Sequence, residues 1–597
     1  MLNKTTRTCI AITGGIILFV MLVTGPLHFN TLKSRNVTKI HTIQGSGAIS
    51  PEVGKIHTIE GVVIGDFQGS HKLKGFFVQE EESDVDADPM TSEGIFVYAP
   101  MGTDVKIGDV VRVTGKVTEF HESTELQNIR QLTVIGTAAS LPAATNISLP
   151  LANGDFLERY EGMLVIFPQR LTVTENYYLG QYGQISLSSG GRLMTPTDAT
   201  KPGATAKAMQ AANDLNRIIV DDGSHVANPD PISYPAPGLS ASHTLRIGDT
   251  VTDVTGVITY SFDHYRLHPI VAPAFVSTNG RPGAPTPVGG TLKVAGFNIR
   301  NYFTTIDNGS NRARGANSTT EFIRQRAKIL ATIKAIDADI LGIMELENDE
   351  TVSITNLVDG LNEAVGAGTY AYISTGKIGR DAIRVAILYK PGVITPVGTY
   401  MVDTNPIFDR PSLAQTFEDS VGEKFTIVVN HFKSKRCNDA SGANFDQGDG
   451  QGCYNYTRTM QATRLLSFID TVVIPTSGDP DVLILGDLNA YAKEDPIATI
   501  KNAGYTNLID YFMGESAYSY VFLGQSGYLG HALASGTLMT QVTGVTVWHI
   551  NADEPCVLDY NEEYKSPGQL VSLYNADPFR SSDHDPVLIG IHLNRLN

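Results

Sequence analysis

Five short apolar runs in the second half of the chain each meet a polar group, and that succession restricts the fold more than any other feature of the sequence. Leu292 to Phe297 runs into Asn298, Asp339 to Met344 into Glu345, Lys424 to Val429 into Asn430 and His431, and Asp481 to Leu485 into Gly486, Asp487, Leu488 and Asn489. The fifth, Ser582-Asp583-His584-Asp585-Pro586, precedes the alternating run Val587 to Ile591. Runs of this kind are buried strands, and the segments between them turn helical, so the pattern predicts an α/β domain over residues 291–597. Its best helix covers Thr320 to Ala335, capped by Ser318 or Thr319, with Phe322, Ile323, Ala327, Leu330 and Ile333 on one face. A second covers Thr457 to Val473. One polar strand end is an ordinary turn or cap; five in one sheet system mark a site.

Asp583 and His584 put a carboxylate beside an imidazole. Adjacent residues at a strand mouth diverge, so Asp583 can hold a hard cation while His584 carries a proton for a neighbouring group. That pairing suits hydrolysis of a phosphate ester.

A chain of 597 residues exceeds one ordinary core, so further domains are expected upstream. Residues 40–145 read as short strands broken by glycine. Within them Gly108-Asp109-Val110-Val111-Arg112-Val113-Thr114-Gly115-Lys116-Val117 matches the spacing of Gly248-Asp249-Thr250-Val251-Thr252-Asp253-Val254-Thr255-Gly256-Val257. Residues 156–275 are therefore a second copy, and both copies resemble the small all-β OB (oligonucleotide/oligosaccharide-binding) barrel. Phe67, Phe76, Phe120, Tyr260, Phe262 and Tyr265 are core residues of such barrels or platforms for stacked bases. A Pro/Gly-rich linker, 276–290, leads into the α/β domain.

Residues 1–27 have the layout of a signal peptide or signal anchor: Lys4 and Arg7 precede the apolar run Cys9 to Val23, with Gly25-Pro26 as the break. The body is expected to be exported, extracellular or periplasmic. Cys437 and Cys453 bracket a Gly- and Asp-rich loop and would close a disulfide in an oxidising compartment; the alternative is two free thiols. Asp439, Asp446 and Asp449 in that loop are solvated or hold a structural Ca²⁺. The formal net charge of −17 excludes a global attraction for nucleic acid, so such a partner needs a local basic patch and a metal.

The segments Phe297-Asn298-Ile299-Arg300, Ile343-Met344-Glu345, Val429-Asn430-His431, Gly486-Asp487-Leu488-Asn489 and Ser582-Asp583-His584-Asp585-Pro586 follow the order found in the endonuclease/exonuclease/phosphatase superfamily, which includes pancreatic deoxyribonuclease. Met344-Glu345-Leu346-Glu347-Asn348, Gly448-Asp449-Gly450-Gln451-Gly452-Cys453 and Tyr518-Ser519-Tyr520-Val521-Phe522 look like its exported bacterial nuclease branch. The resemblance implies a four-layer α/β sandwich in which Glu345, with Asn298 and Asp583, holds Mg²⁺ or Mn²⁺, or else Ca²⁺. Asp487 and Asn489 would orient water and phosphate, and His431 and His584 would move protons on either side of it. Lys433, Lys435, Arg436 and Arg458 would contact backbone phosphates with little sequence preference, or else form a solvated face.

The resemblance carries one departure. Family members place Asp where this chain has Gly530, and that Asp would orient the imidazole matching His584. The chain is then a weakened enzyme, one rescued by Asp559 or Asp585, or a protein that binds without cutting. The reading is an exported metal-dependent nuclease acting on DNA, with DNA alone or DNA and RNA together left open as substrates. The rivals are a phosphoesterase acting on phospholipid or phosphoinositide headgroups and a secreted nucleic-acid-binding protein.

Overall fold

The structure, a computed structural model, describes residues 37–593. The expected signal or anchor segment lies outside them. Among the described residues no helix is long and apolar enough to cross a membrane.

The first β unit is a closed barrel of five strands, β1 (Ile56–Phe67), β2 (Gly75–Gln79), β3 (Gly94–Tyr98), β4 (Asp109–Phe120) and β5 (Ser123–Thr137), in the order β1-β2-β3-β5-β4. β3 and β5 run parallel, and β4 returns antiparallel to β1. The second unit repeats this order with its first strand broken at Pro168. It contains β6 (Leu164–Phe167), β7 (Leu171–Glu175), β8 (Gln184–Ser189), β9 (Arg217–Asp221), β10 (Val254–Ser261) and β11 (His264–Pro269), linked β7-β8-β9-β11-β10-β6. β9 and β11 form the parallel pair here. The glycine-punctuated repeat in the sequence therefore encodes one strand order used twice. Phe67 and Phe76 are buried, Phe120 and Phe262 are 53% and 79% exposed on hairpin tips, and Tyr260 and Tyr265 are half-buried beside Phe262, so four of the six aromatics remain open to a ligand.

The α/β domain contains β12 (Leu292–Tyr302), β13 (Ile340–Glu347), β14 (Ile383–Tyr389), β15 (Leu413–Glu418), β16 (Lys424–His431), β17 (Val482–Asp487), β18 (Gly530–Ala534), β19 (Val542–Val547) and β20 (Val587–Ile591). Two six-stranded sheets result, one running β14-β13-β12-β20-β19 with the edge strand Ala371–Tyr372 beside β14, the other β15-β16-β17-β18 with the eight-residue strand Thr395–Val402 beside β15 and Thr506–Asn507 beside β18. Strand alternation assigns the layers. Val294, Ile387, Val429, Leu485 and Ile589 fill the space between the sheets. Ala295, Phe297 and Leu341 face α1 (Thr319–Ile336) and α2 (Val352–Val365), while Val428, Val482 and Ile484 face α3 (Asn455–Phe468). The sheets approach closely because β12 and β13 carry glycine at the contact. A Cβ on Gly296 or Gly342 would lie 2.9 Å from Leu485 or Val429 side-chain atoms.

α1 begins as its sequence predicts: Ser318 Oγ accepts from the Glu321 N–H at 3.1 Å, and Glu321 reaches back to the Asn317 N–H at 2.9 Å. Helix α3 ends at Phe468 and continues as a π-helical turn, Ile469–Val473. The 276–290 segment is strapped down rather than loose. Asn279 Nδ2 donates to Asp553 at 2.7 Å, Arg281 clasps Glu554, and Trp548 Nε1 donates to the Pro282 carbonyl.

Candidate active site

All five polar strand ends converge at one end of the sandwich. β12, β13, β16 and β17 deliver residues from their C-terminal ends. β20, antiparallel to β12, delivers Asp583 and His584 from the turn before it, and β18 starts at Gly530, opposite Asp487.

Departures from strand geometry aim the site. Arg300, Asn301 and Glu345 adopt left-handed backbone, with φ of +49°, +53° and +67°, where the registers of β12 and β13 shift. Such residues cost on the order of 1–3 kcal/mol each and turn a side chain out of its strand alternation. The bulges bring Glu345 over Asn298. Asn298 Nδ2 donates to Glu345 Oε1 at 3.0 Å and to Asp487 Oδ2 at 3.2 Å, and the Asn301 N–H donates to Glu345 Oε2 at 3.0 Å. The Asn298 side-chain oxygen, Oδ1, accepts from the Arg300 N–H, which turns the amide nitrogen toward the carboxylates. Asn298, expected beside the metal, thus sits between Glu345 and Asp487 and bridges the two carboxylates through its amide.

Asp487 lies between the two imidazoles, its Oδ2 3.8 Å from Nε2 of both His431 and His584. Its Oδ1 accepts from the Asn489 N–H at 2.9 Å, and Asn489 Nδ2 is anchored on the Phe432 carbonyl at 3.1 Å. Asp583 Oδ1 lies 4.0 Å from His584 Nε2. Burial and the charge of Asp583 push the Glu345 carboxyl above its ordinary range. Burial opposes ionisation of Asp583, but His584, Arg300 and Arg580 outweigh it and hold that carboxyl low. Burial, reinforced by Arg410 and His584, takes His431 well below 6.5; for His584 the charges of Asp583, Asp487 and Glu345 overcome burial and raise it.

A divalent cation fits this donor set. Glu345, Asp487 and Asp583 crowd negative charge at the cleft floor, and the donors to Glu345 are an amide and a backbone N–H. Hard oxygen donors of this kind suit Mg²⁺ or Mn²⁺.

The expected basic residues separate into two groups. Arg458 is fully buried, donating to the Cys453 and Gln451 carbonyls at 2.8 and 3.0 Å, and Lys435 is clasped by Glu494 at 2.6 Å. Both are corrected from phosphate contacts to internal ties of the loop closed by the Cys437–Cys453 disulfide. Lys433, 34% exposed with Nζ 4.9 Å above the Tyr454 ring, and the exposed Arg436 are accessible to a ligand. Asp446 and Asp449 in the loop accept from the Gly448 and Gln451 N–H groups in local turns.

Sequence reasoning met Tyr520 only within the Tyr518–Phe522 motif and gave it no role; its ring lies against His584, and the brace behind it went unseen. The hairpin Tyr520–Phe522/Gln525–Gly527 gains a third, parallel strand, Leu193–Met194, from the second β unit. Asp198 of that unit accepts from the Ala492 and Tyr528 N–H groups, and buried Asp553 binds Arg192, Arg246 and Tyr518. No periodicity announces such ties.

The Gly530 departure has a visible result. His584 Nδ1 and Ser519 Oγ are buried without hydrogen-bond partners, beside a void of about 10 Å³ lined by Asn298, Asp487, Gly530 and His584. Asp585 does not reach His584 Nδ1; its carboxylate accepts from the Ile550, Asn551 and Ala552 N–H groups and pairs with His549 at 2.9 Å. Asp559 pairs with Arg300 and Lys565. His531 points the other way, its Nε2 2.8 Å from the Ala490 carbonyl.

Comparison with known families bears on this end of the molecule. The model of the endonuclease/exonuclease/phosphatase family matches residues 296–584, the span from the start of the Asn298 motif to His584. Residues 296–584 belong to that family. Its members hydrolyse phosphoester bonds. A second model, described as a domain of unknown function (DUF8508), matches residues 142–279. No curated protein sequence matches the chain. Solved structures similar to the family domain include the Bacteroides vulgatus endonuclease/exonuclease/phosphatase, at 16% identity over 51% of this chain and 99% of that chain with a TM-score of 0.31. Another is D. rerio TDP2 complexed with single-strand DNA product, at 13% identity over 50% and 97% of the two chains and a TM-score of 0.30. A Bacteroides thetaiotaomicron mannosyl-6-phosphatase gives 15% identity, 50% and 99% coverage and a TM-score of 0.31.

Proposed function

We propose that this chain is an exported, metal-dependent nuclease that hydrolyses phosphodiester bonds of DNA. The observation that carries the reading is Asp487 Oδ2 set 3.8 Å from each of two imidazoles, beside the Glu345 and Asp583 carboxylates. Glu345 and Asp583 would hold the ion, which when bound stabilises charge on a phosphoryl oxygen. Asp487 and Asn489 orient the attacking water, and His431 and His584 stand on either side of the phosphate, one to take a proton and one to give it. Lys433 and Arg436 supply backbone contacts on the rim, and the exposed Phe120 and Phe262 supply stacking surfaces on OB-like modules. Export rests on the N-terminal apolar run.

The partnerless Nδ1 of His584 favours a second reading, in which the same chemistry runs slowly because the imidazole lacks an orienting acceptor. The test is digestion of closed circular plasmid and of linear DNA by the full chain with Mg²⁺, Mn²⁺ or chelator, beside a phosphoinositide headgroup-release assay. Metal-dependent nicking that Glu345→Ala removes supports the nuclease. Headgroup release without nicking sinks it, and DNA retention without product in either form of DNA identifies a binding protein.

A further inference from the structure

The first β barrel carries a cluster of ligand-type side chains that the catalytic chemistry does not use. His41 lies on the short helix Ile40–Gln44, Glu80 directly follows β2, and Glu93 directly precedes β3. Each offers one atom, and the three atoms lie within 4.8 Å of one another. His41 Nδ1 is 3.0 Å from Glu93 Oε2 and 3.7 Å from Glu80 Oε2. Neighbouring ligands of a divalent ion bound at about 2.1 Å are roughly 3.0–3.4 Å apart, so small side-chain adjustments close these atoms on one centre.

The surroundings preorganise that convergence. Glu80 is 1% exposed, and its Oε2 has no hydrogen-bond partner, while its Oε1 accepts from the Ile40 N–H. Glu93 is 5% exposed, and its Oε1 accepts from the Asp86 N–H at 3.1 Å. In each carboxylate one oxygen is anchored on the backbone and the other is turned toward the same imidazole nitrogen. On the far side of the ring, His41 Nε2 faces Asp86 Oδ2 at 3.8 Å. Drawn in to hydrogen-bond length, a carboxylate behind the distal nitrogen fixes the tautomer of a metal-ligating histidine. Lys39 is bonded to Asp84 rather than to either buried carboxylate. Burial, with a contribution from the Glu93 charge, pushes the Glu80 carboxyl up to about 7.

We propose that His41, Glu80 and Glu93 form a binding site for a first-row divalent ion, Zn²⁺ or Mn²⁺, completed by water and separate from the catalytic centre. The imidazole selects against Ca²⁺ and Mg²⁺, which favour all-oxygen shells, and the absence of thiolate selects against Cu⁺. The ion clips the segment entering the barrel to the ends of β2 and β3.

The test strips the full chain with chelator and titrates it with Zn²⁺ and, separately, Mn²⁺. Bound ions are counted by mass spectrometry and Mn²⁺ coordination is read by electron paramagnetic resonance. His41→Ala is expected to lower the count by one ion per chain and to remove one histidine nitrogen coupling, with plasmid cleavage in Mg²⁺ retained. Glu93→Gln keeps side-chain volume and is expected to lower the count likewise, which preserves the test if His41→Ala fails to fold. Equal counts in wild type and both variants would overturn the proposal and leave a proton held between Glu80 and Glu93 as the cluster's occupant.

Discussion

The ring of Tyr520 lies against the imidazole of His584, centroids 4.6 Å apart and planes 19° from parallel. With Nδ1 lacking a hydrogen bond, this stack is the contact that fixes the plane of the ring. Aromatic pairs contribute about 0.5–1.5 kcal/mol, so Tyr520→Ala is expected to lower kcat roughly 2- to 10-fold with little change in KM, whereas Tyr520→Phe retains the rate. Steady-state cleavage of a defined duplex checks both. Equal kcat in the Ala variant and wild type would remove Tyr520 from any positioning role.

Gly530 has room for a side chain. A Cβ built there meets only Ser519 Oγ, at 4.0 Å, and β18 places it beside the void under His584. Gly530→Asp is therefore expected to fold normally and to raise kcat by about tenfold or more, within the ~10⁴ that an orienting carboxylate supplies to a catalytic histidine elsewhere. Single-turnover cleavage at saturating metal is the measurement, and an unchanged rate would mean that the orphaned nitrogen does not limit turnover.

The two kinds of basic residue respond to different assays. Arg436→Ala is expected to flatten the dependence of log affinity on log salt by about 0.9 for one lost phosphate contact, without altering the melting temperature. Arg458→Met removes a buried cation whose Nη atoms tie two carbonyls, so it is expected to destabilise the fold by about 3 kcal/mol and to leave the salt slope intact. Fluorescence-anisotropy titrations and denaturant melts separate the two. Exchanged behaviours would reverse the assignment.

Glu161 predicts a pH dependence at the seam of the two β units, where it accepts from Ser123 Oγ and the Thr124 N–H. Burial raises its carboxyl from 4.5 to about 8. The folded state thus binds a proton more tightly than the unfolded chain, and ionisation costs stability progressively as pH rises from about 4.5 to about 8. Glu161→Gln is expected to match wild type near pH 4 and to exceed it by about 2–4 kcal/mol at pH 8.5. Urea melts at the two pH values decide this, and parallel shifts at both would contradict it.

The strands and their polar ends were legible because they depend on local pattern: apolar runs must be buried, and Asn298, Glu345, His431, Asp487 and His584 are the polar residues that interrupt or flank those runs. The repeat was legible for the same reason, as glycine spacing reflects turn geometry. What stayed hidden depends on long-range placement. Arg458 looks like a solvent-facing cation until the loop folds over it, Lys435 until Glu494 clasps it, and the left-handed turn at Glu345 leaves no mark on a residue type that rarely adopts it. Asp553 reads as a loop acid, yet it binds three elements from two domains.

The strand Leu193–Met194 completes the hairpin that holds Tyr520 on His584. The unit that touches no phosphate in this reading therefore shares custody of the reaction. A family domain cut out at residue 291, or grafted behind other β modules, would inherit every ligand and both imidazoles but lose the wall that steadies one of them. Selection acting on the catalytic rate is then felt in the second β unit, and the two segments should travel through evolution as a single heritable part.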